Sequence, residues 1–201
     1  MEGKQHAEYM QMNLLMVINS FDYFLSEALA PSDDFDTLTR VTQKVLYTKW
    51  KGYAPPGTCT LIPLENTPCY PNTHNCRFMA LCPTMRVPGN VNWNREVVYN
   101  CVWSLLNVLS QHNSRSISGT SDDNKRADEA KIKSVLITGL ATGVGGVSAE
   151  KCAKQMAMAF ADFNDASLNE EKWSSFNWDK ALDYTNACRD TYDLNAEHGD
   201  D

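Results

Sequence analysis

No stretch of this 201-residue chain reaches the roughly twenty consecutive apolar residues that a bilayer-crossing helix needs. The nearest approach, Met10 to Phe24, is interrupted by Gln11, Asn13, Asn19, Ser20 and Asp22. A secretory leader is not evident either. Lys4 is flanked by Glu2 and Glu8, the apolar stretch Leu14 to Ile18 is short, and no small-residue cleavage site follows it. The expectation is an intracellular protein, cytoplasmic or nuclear. Positive charge is also scarce, with 18 Lys and Arg against 25 Asp and Glu and a formal net charge of -7. Nonspecific nucleic-acid binding needs clustered basic side chains to neutralise phosphates, and an acidic surface is repelled by anionic lipid. Neither nucleic acid nor membrane is an expected partner.

Paired cysteine motifs are missing. The seven cysteines, Cys59, Cys69, Cys76, Cys82, Cys101, Cys152 and Cys188, are odd in number and include no Cys-x-x-Cys spacing. That supports neither a disulfide framework nor a zinc knuckle. Cys82, Cys101 and Cys152 fall on apolar faces of their elements, where a reduced thiol behaves as a small hydrophobic side chain. His6, His74, His112 and His198 are scattered and share no motif with a Ser or Cys. The acidic pairs Asp33-Asp34, Asp122-Asp123 and Glu170-Glu171 lie in polar segments and read as solvated loop or cap residues. No catalytic residue, metal ligand or cofactor is therefore assigned.

What the chain does contain is enough apolar material, 43% of residues, for one sizeable core. We expect a single, monomeric domain over 1–201, with its core at about 20–165, a polar insertion at 113–130, and a C-terminal arm and tail at 166–201. Phe35, Leu38, Val41, Val45 and Leu46 recur at helical spacing across Asp34 to Lys49. Thr58 to Leu64 and Arg77 to Leu81 read as strands. Val98, Cys101, Val102, Leu105 and Leu109 mark a helix from Arg95 to Gln111. Ser134 to Thr138 is apolar enough for a central strand covered on both faces. This alternation predicts an α/β fold. Trp173, Phe176, Trp178 and Tyr184 are expected to fold the arm back on the domain, and the tail from Asn195 to be disordered.

Glycine is absent between Gly3 and Gly52, then concentrates where it counts, in Gly139-Leu-Ala-Thr-Gly-Val-Gly-Gly146. Ser148 follows as an N-cap, ahead of Ala149, Cys152, Ala153, Met156, Ala157 and Phe160 on one face of a helix. Gly143, Gly145 and Gly146 lack Cβ atoms, so the backbone there is free to adopt positive φ and to press its amides on a ligand. With the positive end of a helix behind it, such a loop suits a phosphate or diphosphate. It is no Walker loop, because no Lys follows the last Gly, and it lacks the Gly-x-Gly-x-x-Gly order of a dinucleotide turn. Two readings stand at this level: an anion cradle, or a tight strand-to-helix connection whose glycines serve packing.

The block from Thr138 to Ala159 resembles the second ligand loop and following helix of macro domains, the ADP-ribose-binding α/β/α modules. It is most similar to a macro-domain-like branch found in fungi and bacteria. That branch writes the loop as Pro-Gly-Leu-Gly-Thr-Gly and follows it with Ala-x-Gln-Met; here Thr138 replaces Pro and Ala141 replaces Gly. Phe78 to Pro88 resembles the branch's apolar strand ending in Pro-Thr-Met-Arg-Val-Pro, with Pro83 to Pro88 in full agreement. The helix pattern and His112-Asn113 follow in the order of that branch. Phe21-Asp22 and Lys51 to Ile62 are similar to the segment after the family's first ligand loop. The glycine turn of that first loop is not recognisable, since Asn19-Ser20 directly precedes Phe21-Asp22, and at least one N-terminal strand is also missing.

The resemblance implies a three-layer α/β/α sandwich with a mixed central sheet. It implies ligand contacts from Ala141, Thr142, Gly143, Val144, Gly145 and Gly146, with Thr84 and Arg86 at a second strand's carboxyl end. Arg86 would meet a phosphate or carboxylate there, or pair with a structural acid. The implied partner is an ADP-ribose-like small molecule or an ADP-ribosylated protein. Three functions remain open: a binding module, a hydrolase removing ADP-ribose, and a degenerate scaffold that serves as an interaction domain.

Overall fold

In the computed structural model of the chain, residues 21–115 and 131–194 are described. Six helices and two strands follow one another there: α1 (Phe21–Leu29), α2 (Thr37–Trp50), β1 (Thr60–Pro63), β2 (Phe78–Leu81), α3 (Val97–Arg115), α4 (Ala149–Leu168), α5 (Glu170–Ser174) and α6 (Trp178–Arg189). Helix dominates, and the described sheet is the antiparallel pair β1-β2. The chain divides into two compact units, one drawn from the residues up to Ala54 and from Leu61–Leu81, the other from Pro55–Thr60 and from Cys82 onward.

In the first unit, α2 ends where Lys51 and Gly52 turn left-handed, at φ +58° and +102°. Their amides return to Tyr47 O and Leu46 O at 3.0 and 3.2 Å, which satisfies carbonyls that the last helical turn leaves unpaired. Leu38 and Leu46 turn inward, as the helical spacing predicts, whereas Phe35 precedes the helix and is largely exposed. A core of Leu29, Leu38, Ile62, Leu64 and Cys69 results. β1 and β2 fall within the two expected strands, and Leu64 N–H donates to Arg77 O (2.9 Å) just outside their paired residues.

In the second unit, α3 and α4 lie against each other. Val91, Val97, Val98, Cys101, Val147 and Cys152 form the core, and the α3 pattern read from sequence holds for Val98, Cys101, Val102 and Leu105. The α4 face is a correction. Its buried residues are Lys151, Cys152, Gln155 and Ala159, while Ala149, Ala153, Ala157 and Phe160 are exposed. The polar members are accepted inside because the C-terminal segment supplies their partners, as shown below.

Ser134 to Thr138 also differs from expectation. It carries no strand pairing, Val135 is 44% exposed and Leu136 94% exposed. A strand draws its backbone hydrogen bonds from a neighbour, and among the described residues only β1 and β2 provide one another with that. The C-terminal arm does fold back. Trp173 stacks on Trp103 of α3 at 5.5 Å and packs on Phe176 and Tyr184, but Trp178 points away at 91% exposure. The polar insertion lies mostly outside the described residues, as do Asn19-Ser20 and the tail. Its beginning, Asn113 to Arg115, is the last part of α3.

Candidate functional site

The glycine loop of the second unit is held at both ends. On the approach, the Asn113 carboxamide at the end of α3 accepts from Ile132 N–H (2.9 Å) and donates to Ile132 O (3.0 Å), as a neighbouring strand would. On the exit, Ser148 has β-region angles and its hydroxyl oxygen accepts from Lys151 N–H at 3.1 Å, the N-cap read from the sequence. The same hydroxyl donates to Leu194 O, which joins the C-terminal segment to the start of α4.

Between those anchors the loop closes on itself. Gly146 N–H donates to Gly143 O (2.9 Å), Val147 N–H donates to Ala141 O (3.1 Å), and Thr142 Oγ1 donates to Gly139 O (3.2 Å). Val91 N–H reaches across to Gly145 O at 3.0 Å. Two donors of the expected cradle, Gly146 and Val147, are thus spent within the loop. None of the described residues accepts from the amides of Thr142, Gly143, Val144 or Gly145. Those four consecutive donors, on exposed or tightly turned backbone ahead of a helix N-terminus, form the candidate anion site.

The three glycines serve different ends, which corrects the uniform role given them above. Only Gly146 takes a positive φ, +70°, and a Cβ there would meet Asn90 Nδ2 at 2.9 Å. Gly145 is required by space, since a Cβ would lie 2.5 Å from Ala141 O. Gly143 has neither constraint: its φ is ordinary and nothing lies within 4 Å of a built Cβ. The left-handed position expected of a glycine falls instead on Ala141, at φ +59°. That is the position where the resembled branch writes Gly, and an alanine there bears a steric cost that glycine avoids.

The second sequence block reaches the same place. Cys82 and Met85 pack with Leu140 and Ala141 on one apolar cluster. Thr84 is therefore half-buried between anchored neighbours, and Arg86 emerges exposed one residue beyond Met85. The structure thus brings the Pro83–Arg86 turn and the 140–147 loop onto a common support. Elsewhere, a shallow depression of about 320 Å³ opens in the first unit around Pro31, Asp34, Thr37, Arg40 and Lys44. Its principal charges, Asp34 and Arg40, are paired with each other.

Two residues that the sequence reading passed over organise this end of the second unit. Gln155, fully buried, donates to Arg95 O (2.7 Å) and Thr191 Oγ1 (2.8 Å), and accepts from Tyr99 N–H (3.3 Å) in the first turn of α3. Lys151 reaches Tyr192 O (3.3 Å), and its ammonium is pulled below the ordinary lysine range by burial and by the Arg95 guanidinium. Tyr192 donates to Glu96, which holds its phenol up at about 12. The signal was present in the Ala-x-Gln-Met pattern, but a single glutamine on a helix gives no hint that three backbone and hydroxyl partners converge on it.

Among the described residues no group of three or more His, Cys, Asp or Glu side chains is placed to hold a metal, and no helix is long and apolar enough to cross a membrane. No family model, curated protein or solved structure matches the chain.

Proposed function

We propose that this chain is a macro-domain-like module that binds ADP-ribose or a related nucleoside diphosphate through the loop at Ala141 to Gly146. The observation that carries the reading is the run of four amides from Thr142 to Gly145 with no acceptor among the described residues, directly before the capped start of α4. A diphosphate presents several oxygens at the spacing of successive backbone amides, so one loop and one helix end satisfy it together. Thr84 and Arg86 flank Met85, which rests on the same apolar support, and would extend the contact to a second phosphate or to the ribose. The loop's chemistry is hydrogen-bond donation, which holds an anion and breaks no bond; we therefore favour binding over ADP-ribosyl hydrolysis.

The three-layer sandwich belongs to this proposal as well. A second reading, a degenerate scaffold acting as an interaction domain, is favoured by one observation: the 134–138 segment is unpaired and exposes Leu136. Calorimetric titration with ADP-ribose separates the two. Gly143→Glu is the control of choice, because Gly143 has room for a side chain and an ordinary φ, whereas any side chain at Gly145 collides with Ala141. We expect wild-type binding and its loss in a Gly143→Glu variant that melts normally. A folded wild type that releases no heat with ADP-ribose supports the scaffold.

A further inference from the structure

Three thiols gather in the second unit, outside the loop. Cys59 directly precedes β1 and Cys82 directly follows β2, and their side chains are hydrogen-bonded to each other. Just beyond them Gly57 N–H donates to Pro83 O at 2.9 Å, so the two segments stay side by side past the cysteines. Opposed Cα atoms of adjacent antiparallel segments lie about 4.5–5.5 Å apart, inside the roughly 4.4–6.8 Å window that a disulfide spans. Cys59 is buried at 6% exposure, while Cys82 is partly open to solvent. Neither is in a disulfide.

We propose that Cys59 and Cys82 form an oxidisable dithiol site, which a peroxide converts into an intramolecular disulfide. Cys82 is the attacking group, because it is the more accessible and because a hydrogen bond from Cys59 favours its thiolate. Its sulfur attacks a peroxide oxygen, the O–O bond breaks, and the departing hydroxide takes a proton to leave as water. Cys59 then attacks the sulfur of the Cys82 sulfenic acid. The S–S bond forms, the S–O bond breaks, and a second water leaves with the proton of Cys59. Two thiols lose two electrons and hydrogen peroxide gains them. Cys101, whose thiol donates to Pro83 O at 3.5 Å, is the close bystander. It is fully buried, and burial pushes its pKa up to about 12, so it stays a thiol.

The test uses the full chain in a Cys76→Ser background, which removes the exposed thiol that would bridge two chains. After dilute hydrogen peroxide and alkylation, trypsin should release residues 52–77 joined to residues 78–86, at the mass of the two peptides less two hydrogens and plus the one alkyl group carried by Cys69. The joined product should vanish in Cys59→Ser and in Cys82→Ser and persist in Cys101→Ser. The proposal is overturned if Cys82 in the folded parent protein ends linked to Cys101, or ends as the sulfinic acid with Cys59 still alkylated. Because the parent itself carries the decisive readout, a variant that folds poorly does not blunt the test.

Discussion

Residues 134–138 and residues 139–168 are neighbours in sequence and behave oppositely. The second stretch forms a closed loop, an N-cap at Ser148 and a twenty-residue helix, of which the cap and the start of the helix were expected from the sequence. The first was expected to be a central strand and carries no strand pairing among the described residues, with Leu136 almost wholly exposed. The difference is one of range. A cap, a turn and a helix satisfy their backbone groups within a few residues, so the local sequence suffices. A strand is completed only by another strand, and residues 134–138 find no partner among the described residues.

The comparison can be broken first at Gln155. It joins the loop-bearing helix to α3 and to Thr191 while fully buried, so Gln155→Leu strands buried partners at Arg95, Tyr99 and Thr191. We expect a loss of about 2–4 kcal/mol in urea unfolding. A loss under about 0.5 kcal/mol would mean that the segment around α4 is coded more locally than we hold. Next comes the cap. Ser148→Ala should cost about 1 kcal/mol. It also frees Leu194 O, so amide exchange should quicken at residues 191–194 as well as in the first turn of α4.

A smaller effect sits at the end of α4. Asp165 accepts from Lys172 (2.7 Å) and Trp173 Nε1 (2.8 Å), which hold its carboxyl at about 2, below the ordinary value of about 3.9. A lowered folded pKa stabilises the protein above the ordinary value, and that contribution fades as pH falls toward about 2. Asp165→Asn should lower the melting temperature slightly at neutral pH, and the difference from wild type should vanish as pH falls to about 2. The smallest effect sharpens the comparison most. Leu136→Lys should shift stability by no more than about 0.5 kcal/mol, as surface substitutions do. A loss above about 2 kcal/mol, measured by denaturant midpoint, would show that residues 134–138 are packed in a core after all.

What the sequence made legible follows the same division. The α2 and α3 stripes, the β1 and β2 positions, the Ser148 cap and the fold-back of Trp173 are all set by spacing and local chemistry. Burial on α4 was misread because hydropathy ranks Ala153 and Ala157 as core and Lys151 and Gln155 as surface. Partners far off in sequence reverse that order: Arg95 O, Tyr99 N–H and Thr191 Oγ1 for Gln155, and Tyr192 O for Lys151. The loop was identified correctly as a site of tight backbone geometry. Which glycine needs which freedom was not legible, because the strained φ fell on Ala141 and the tightest approach on Gly145.

The most direct test of the binding account is an amide-resolved titration of the isotope-labelled chain with ADP-ribose. We predict that the largest shifts fall on the amides of Thr142, Gly143, Val144 and Gly145, while those of Gly146 and Val147, already bonded inside the loop, move less. Saturable shifts confined to other segments, or none at all in a folded chain, would contradict the loop's role as an anion site.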